Sequence, residues 1–144
     1  FINSNYIIFL SIIYPCNIIY SMKAHLILGN HDQNIVKNKE DIQSRFLSIQ
    51  NYLEANICDV DFVLCHYPLQ SWNNLNKGVI HLHGHCHLSF QNKWGNGKRL
   101  DVGMDGNGMY PYKITEIVHM MDRRPIGSDL NNDHHMDDLV GVVG

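Results

Sequence analysis

His81-Leu82-His83-Gly84-His85-Cys86-His87 places an imidazole at every second position, a density that core packing does not call for and that divalent-metal ligation does. Val79 to His83 reads as a strand that stops at Gly84, so His81 and His83 lie within the strand while His85 and His87 follow its end. Alternate residues of an extended segment share a side, so His85 and His87 are candidate ligands of adjacent ions and Cys86 points away from them. For His81 and His83, deeper on the same side, the expectation is a supporting role behind the ligands or a buried hydrogen-bonded one, with neither residue touching an ion.

Upstream, His25 to Leu28 is a short apolar run ending at Gly29, which reads as a strand delivering Asn30, His31 and Asp32 to a loop. Val60 to Cys65 reads as another strand, with Pro68 ending it two residues after His66. Leu100 to Met104 is a fourth, preceded by Trp94-Gly95-Asn96-Gly97, whose glycines suit a hairpin turn. Between Lys39 and Ile57 the apolar residues Ile42, Phe46, Ile49, Leu53 and Ile57 recur every three or four positions, the spacing of an amphipathic helix. Strands and a helix in this order indicate an α/β or α+β layer structure. Residues 22–118 form the expected domain, 1–21 an apolar N-terminal segment, and 119–144 an acidic, weakly ordered tail.

Bulk properties narrow the functional classes. The 144 residues suffice for one domain with one core. A net charge of -3 supplies no basic field for a phosphate backbone, so nucleic acid enters only as a substrate. Cys16, Cys58, Cys65 and Cys86 form no C-x-x-C pair, which suits free thiols in a reducing, cytoplasmic compartment. The opening run is broken by Pro15, Cys16 and Asn17, has no Lys or Arg before Lys23, and has no apolar stretch of the roughly 20 residues that a spanning helix needs. No membrane partner is expected.

Gly29-Asn30-His31-Asp32, the lone histidine of Cys65-His66-Tyr67-Pro68, and Gly84-His85-Cys86-His87 together resemble the C-terminal half of a calcineurin-like metallophosphoesterase, with its G-N-H-[DE], lone His and G-H-x-H motifs. The resemblance runs from about residue 24 to 117 and includes Asp101-Val102-Gly103-Met104-Asp105 and Tyr110-Pro111. It implies a β-sandwich of mixed sheets flanked by helices, here with the N-terminal half missing. It also implies two divalent ions (Mn, Fe, Zn or Ni) that clamp a phosphate ester and activate water for hydrolysis of a mono- or diester. Asn30, His66 and His85 would then hold the second metal, and His87 would reach the first. His31 would assist the leaving oxygen, with Asp32 orienting its ring.

The chain departs from that family at its start. The D-x-H and G-D-x-x-D motifs are absent, and no Asp or Glu precedes Asp32. A truncated chain with an incomplete dinuclear site, holding as few as one ion and weakly active alone, is therefore expected. A catalytically silent metal-binding remnant and a half-domain needing a complementing chain are the alternatives, and self-association through an uncovered sheet edge goes with them.

Plainer roles compete for several of these residues. Asn30 suits a turn after Gly29, and Asp32 suits a helix cap. His66 suits a buried strand end. Cys65 and Cys86 read as small buried hydrophobes, and Tyr67, Trp72 and Tyr110 as packing residues. His134-His135 reads as part of a solvated acidic tail.

Overall fold

The structure is a computed structural model that describes residues 6–7, 24–37, 44 and 46–128. Expectations for most of residues 1–21, for Ile42 and for His134-His135 fall outside the described residues. The architecture is mixed α and β. Its centre is a four-stranded sheet of β4 (Tyr52–Ile57), β5 (Val60–Cys65), β6 (Ile80–His83) and β7 (Arg99–Asp101), in that order. The first pair is antiparallel, and the β5–β6 and β6–β7 pairs are parallel. Two smaller sheets accompany it: β2 (Ala24–Ile27) runs parallel to β3 (Phe46–Gln50), and β1 (Tyr6–Ile7) runs antiparallel to β8 (Tyr112–Lys113). A short helix, α1 (Gln33–Lys37), follows β2, and α2 (Ile114–Asp122) follows β8.

Register sorts the central sheet into two chemically different faces. Leu64, Leu82 and Leu100 are lateral neighbours, as are Phe62 and Ile80; with Ile27, Ile57 and Val102 they pack into one core against Ile114, Ile117 and Met121 of α2. On the opposite face lie Val63 beside His81, His81 beside Arg99, and His83 beside Asp101. Period-two alternation therefore sends the aliphatic set to α2 and the ionisable set to the other side. Burying Ile114, Ile117 and Met121 contributes on the order of 5–8 kcal/mol before the entropy of ordering the helix is subtracted.

Where a helix was expected over 39–57, residues 46–57 form β3 and β4. Within β4 the side chains alternate: Leu53, Ala55 and Ile57 turn inward while Tyr52, Glu54 and Asn56 are exposed. The same sequence thus carries two periodicities, and six register partners with β5, from Tyr52↔Cys65 to Ile57↔Val60, decide for the strand. Cys58 (φ 53) and Asp59 (φ 62) close the hairpin with two left-handed residues, the backbone of a type I′ turn, without the glycine that usually announces it.

Two boundaries also move. β7 ends at Asp101, and Met104–Asn107 forms a 3-10 turn instead of continuing the strand. Residues 119–128, expected to belong to a weakly ordered tail, pack on the domain: α2 runs through Asp122 with Met121 fully buried, and Arg124 donates from Nε to Gly97 O at 3.2 Å and from Nη2 to Gly95 O at 2.5 Å. The spacing of Ile114, Ile117 and Met121 is helical, and a stable apolar face outweighs the polar composition that follows.

Candidate metal centre

β5, β6 and β7 are parallel, so their C-terminal ends share one edge of the sheet, where β2 also ends beside them. His66 follows β5, His85 follows β6, and Asn30 follows β2. Functional side chains beyond the carboxyl ends of parallel strands are a general feature of such sheets.

Three polar atoms converge there. His66 Nε2 lies 2.7 Å from Asn30 Oδ1 and 3.2 Å from His85 Nδ1, and His85 Nδ1 lies 3.2 Å from Asn30 Oδ1. Ligands held about 2.1 Å from an ion at right angles sit roughly 3.0 Å apart, so this triangle has the dimensions of one face of a metal coordination shell. The donor set, two imidazoles and an amide oxygen, suits a borderline divalent ion. Asn30, His66 and His85, drawn from positions 30, 66 and 85 of the chain, are thus brought together.

His66 is almost fully buried, whereas Asn30 and His85 are exposed. Burial, and next the neighbouring His85, lower the pKa of His66, against an opposing pull from Asp32. A neutral imidazole with an available lone pair is what ligation requires. The His66 ring also packs against Gly29: a methyl at that position would stand 2.7 Å from Cε1 and 2.8 Å from Nδ1. Glycine at position 29 lets β2 and His66 approach closely enough for Asn30 to reach Nε2.

His87 stands apart. Its Nδ1 contacts Asp105 Oδ2 at 2.5 Å. The extended geometry expected for 85–87 is replaced by left-handed backbone at His85 (φ 67) and His87 (φ 49). Cys86 N–H donates to Gly84 O at 2.8 Å, closing a γ-turn over His85, a rare and strained conformation for a residue with a side chain. The turn sends His85 toward Asn30 and His87 toward Asp105, so they do not project to one side of a strand.

Asp32 is buried, and its Oδ2 accepts from Gly29 N–H at 2.7 Å, closing the turn that presents Asn30. That carboxylate acts as a local cap for the Gly29–Asp32 turn, while His31 is exposed beside it. His81 and His83 take the buried roles foreseen for them. His81 Nδ1 lies 3.1 Å from Val63 O, and His81 Nε2 accepts from Leu69 N–H at 3.0 Å, a pairing that fits the neutral ring. Burial pushes the pKa of His81 down to about 4 and lowers that of His83 as well.

Residues read from sequence as packing groups divide in the structure. The Tyr67 ring stands edge-on to His66 and His85, with centroids 5.0 and 4.7 Å away, so this exposed residue forms a wall of the site, where sequence assigned it to packing. Trp72, in contrast, is a core residue. Cys86 is exposed, where a buried face was expected, because the γ-turn rotates it outward; Cys65 is half-buried. The Cys86 thiol joins His83 and Asp101 in a group whose candidate ligand atoms all lie within 4.8 Å of one another. Among the described residues no helix is long and apolar enough to cross a membrane.

No protein-family model matches the chain, and no curated protein does. The crystal structure of a protein of unknown function from Aquifex aeolicus superposes with a TM-score of 0.50 at 18% identity, over 72% of this chain and 64% of that one. The chain thus spans under two thirds of that structure's length, and at this identity the likeness concerns the fold alone.

Proposed function

We propose that this chain carries the ligand cluster of a metal-dependent phosphoric ester hydrolase of the calcineurin-like kind, acting on phosphate mono- or diesters. The observation that carries the reading is the mutual approach of Asn30 Oδ1, His66 Nε2 and His85 Nδ1 to within 3.2 Å. Its supports are the G-N-H-D, lone His and G-H-x-H motifs, their order, and a parallel-sheet edge at which they meet.

Bound there, a divalent ion would supply positive charge to polarise a phosphoryl oxygen. The chain's own groups do the rest. Asn30 adds a ligand oxygen without charge, which leaves the ion electrophilic. Tyr67 walls the site beside His66 and His85, and His31, exposed and next to Asn30, would donate a proton to a leaving oxygen in this reading. Asp32 serves this arrangement through the backbone, by holding the turn that carries both residues. A sandwich of two mixed sheets is the parent fold this reading implies.

A second reading is favoured by the contact of His87 with Asp105. With His87 held there, the triangle takes a single ion, and the chain is a one-metal binder whose turnover is slow until a complementing polypeptide supplies further ligands. Titration of Mn2+ into the metal-free chain, with hydrolysis of a chromogenic phosphodiester followed in parallel, tests both. Binding of one ion, weakened at least tenfold in His66→Ala, together with metal-dependent turnover supports the hydrolase. The same binding without turnover supports the one-metal binder. Affinity unchanged in both His66→Ala and Asn30→Ala overturns both.

A further inference from the structure

Behind the Asn30–His66–His85 triangle, on the ionisable face of the sheet, the same turn reaches a second group of ligands. His83 and Asp101 are register partners on β6 and β7, each only 2% exposed. Cys86 arrives from the γ-turn, and one ring nitrogen of His83, the thiol and one carboxylate oxygen of Asp101 all lie within 4.8 Å of one another. We propose that His83, Cys86 and Asp101 form a separate cation site for a thiophilic ion of the zinc class, fastening the 84–87 turn to the sheet.

Three features of the group point to a cation. First, Asp101 is a buried carboxylate with one oxygen poorly matched: Oδ1 accepts from Gly103 N–H at 2.8 Å, whereas among the described residues Oδ2 has only Leu88 N–H at 3.4 Å and His83 Nδ1 at 4.0 Å. A carboxylate taken out of water is normally paired or bound to metal. Second, His83 Nδ1–H donates to Gly84 O at 2.9 Å, a bond that fixes the plane of the ring and the tautomer, as backbone carbonyls do for ligating histidines, and leaves the lone pair for a metal on Nε2. Third, the donor set is one sulfur, one nitrogen and one oxygen. Thiolate ligands favour zinc-like ions over magnesium or manganese, and imidazole suits them too.

The dimensions allow it. Tetrahedral zinc ligands stand roughly 3.4–3.7 Å apart, so the group closes on an ion by movements of about 1 Å. Cys86 is exposed and can swing through one torsion, whereas His83 and Asp101 are already held by their strands. The ion enters from the Cys86 side, where solvent completes its fourth position. This site shares no ligand with the triangle and does not depend on the hydrolase reading. It selects by softness, and the amide-and-imidazole triangle does not.

Cobalt(II) substitution reads the two sites apart, because only a thiolate gives an intense near-ultraviolet sulfur-to-cobalt band. Titrating the reduced, metal-free full chain with Co2+ should produce that band in the wild type and in His66→Ala, with loss in Cys86→Ser and a tenfold or greater weakening in Asp101→Asn. Excess Zn2+ should bleach it and slow alkylation of Cys86, measured peptide by peptide in a mass spectrometer, at least tenfold. Cys86→Ser alters an exposed position and should keep the wild-type circular dichroism spectrum. Absence of the band in the wild type, its persistence in Cys86→Ser, or alkylation of Cys86 unaffected by Zn2+ would each overturn the proposal. Loss of Mn2+ binding in His66→Ala with the cobalt band intact would leave it standing.

Discussion

The His66 imidazole packs against the α-carbon of Gly29, so closely that any side chain at position 29 would enter the ring: a methyl there meets Cε1 at 2.7 Å and Cγ at 3.0 Å. This contact is the point at which β2 and the end of β5 are fitted to each other, and Asn30 is the next residue along. The placement of two candidate ligands therefore rests on a residue that ligates nothing.

Gly29→Ala is accordingly expected to push the ring away from Asn30 while leaving every ligand in place chemically. Loss of a group that positions metal ligands typically lowers affinity 10- to 100-fold, and the same range is expected here. Isothermal titration with Mn2+ measures it, beside a circular dichroism spectrum showing that the fold persists. Wild-type affinity in Gly29→Ala would mean that the ring moves aside without penalty.

His81 makes stability depend on pH. Its folded pKa, near 4, lies below the roughly 6.5 of an unfolded histidine, so between those values the unfolded chain binds a proton that the folded chain does not. Stability is fully present above about pH 6.5 and is lost as pH falls toward 4, by about 3 kcal/mol from this group alone. Urea unfolding at several pH values should show that acid limb in the wild type and a shallower one in His81→Gln. Identical limbs would assign the loss to other groups.

How much of this was legible in sequence depends on the length scale of the signal. Strands β2, β5 and β6 stop at residues that punctuate any backbone, glycine or a histidine shortly before proline, and so the ends that carry Asn30, His66 and His85 were readable. The β3–β4 region was not, because Phe46, Ile49, Leu53 and Ile57 satisfy a helical period while Leu53, Ala55 and Ile57 satisfy a strand period. Only pairing between segments, of β3 with β2 and of β4 with β5, separates the two. The γ-turn over His85 was equally hidden, since nothing local announces positive φ at histidine. That turn is why His87 meets Asp105, 18 residues on, and Cys86 meets Asp101, 15 residues on, together with His83 at the end of β6.

The β4–β5 hairpin should tolerate improvement at its turn. Cys58 and Asp59 both hold left-handed backbone, which costs a residue with a β-carbon about 1 kcal/mol or more relative to glycine. Asp59→Gly removes that cost at one position and adds some unfolded-state entropy, for a net gain of about 0.5 kcal/mol. A rise of a few degrees in the melting midpoint is the expected readout, and a fall would show that the Asp59 side chain supports the turn in its own right.

Lys93 presents a buried charge held by aromatic rings. It is 1% exposed, its Nζ donates to the Tyr112 hydroxyl at 3.0 Å and lies 3.7 Å from the Phe90 ring centroid, and among the described residues no carboxylate pairs with it. Burial lowers its pKa, so folding disfavours the charged form, and the rings and one phenol offset only part of the lost hydration. Lys93→Met keeps an unbranched apolar stem against Phe90, Trp94 and Tyr112 and removes the charge, so its stability should equal or exceed that of the wild type by up to about 1 kcal/mol. Lys93→Ala instead opens a cavity and should cost about 2–4 kcal/mol. The pH dependence separates charge from shape. Below the ordinary lysine pKa but above the lowered one, the unfolded chain holds a proton that the folded chain lacks, so wild-type stability rises with pH there while that of Lys93→Met stays flat. Denaturant midpoints across the alkaline range measure both slopes. A Met variant weaker than the wild type by more than about 2 kcal/mol would mean that the aromatic cage and the Tyr112 hydrogen bond more than repay the desolvation of the ammonium.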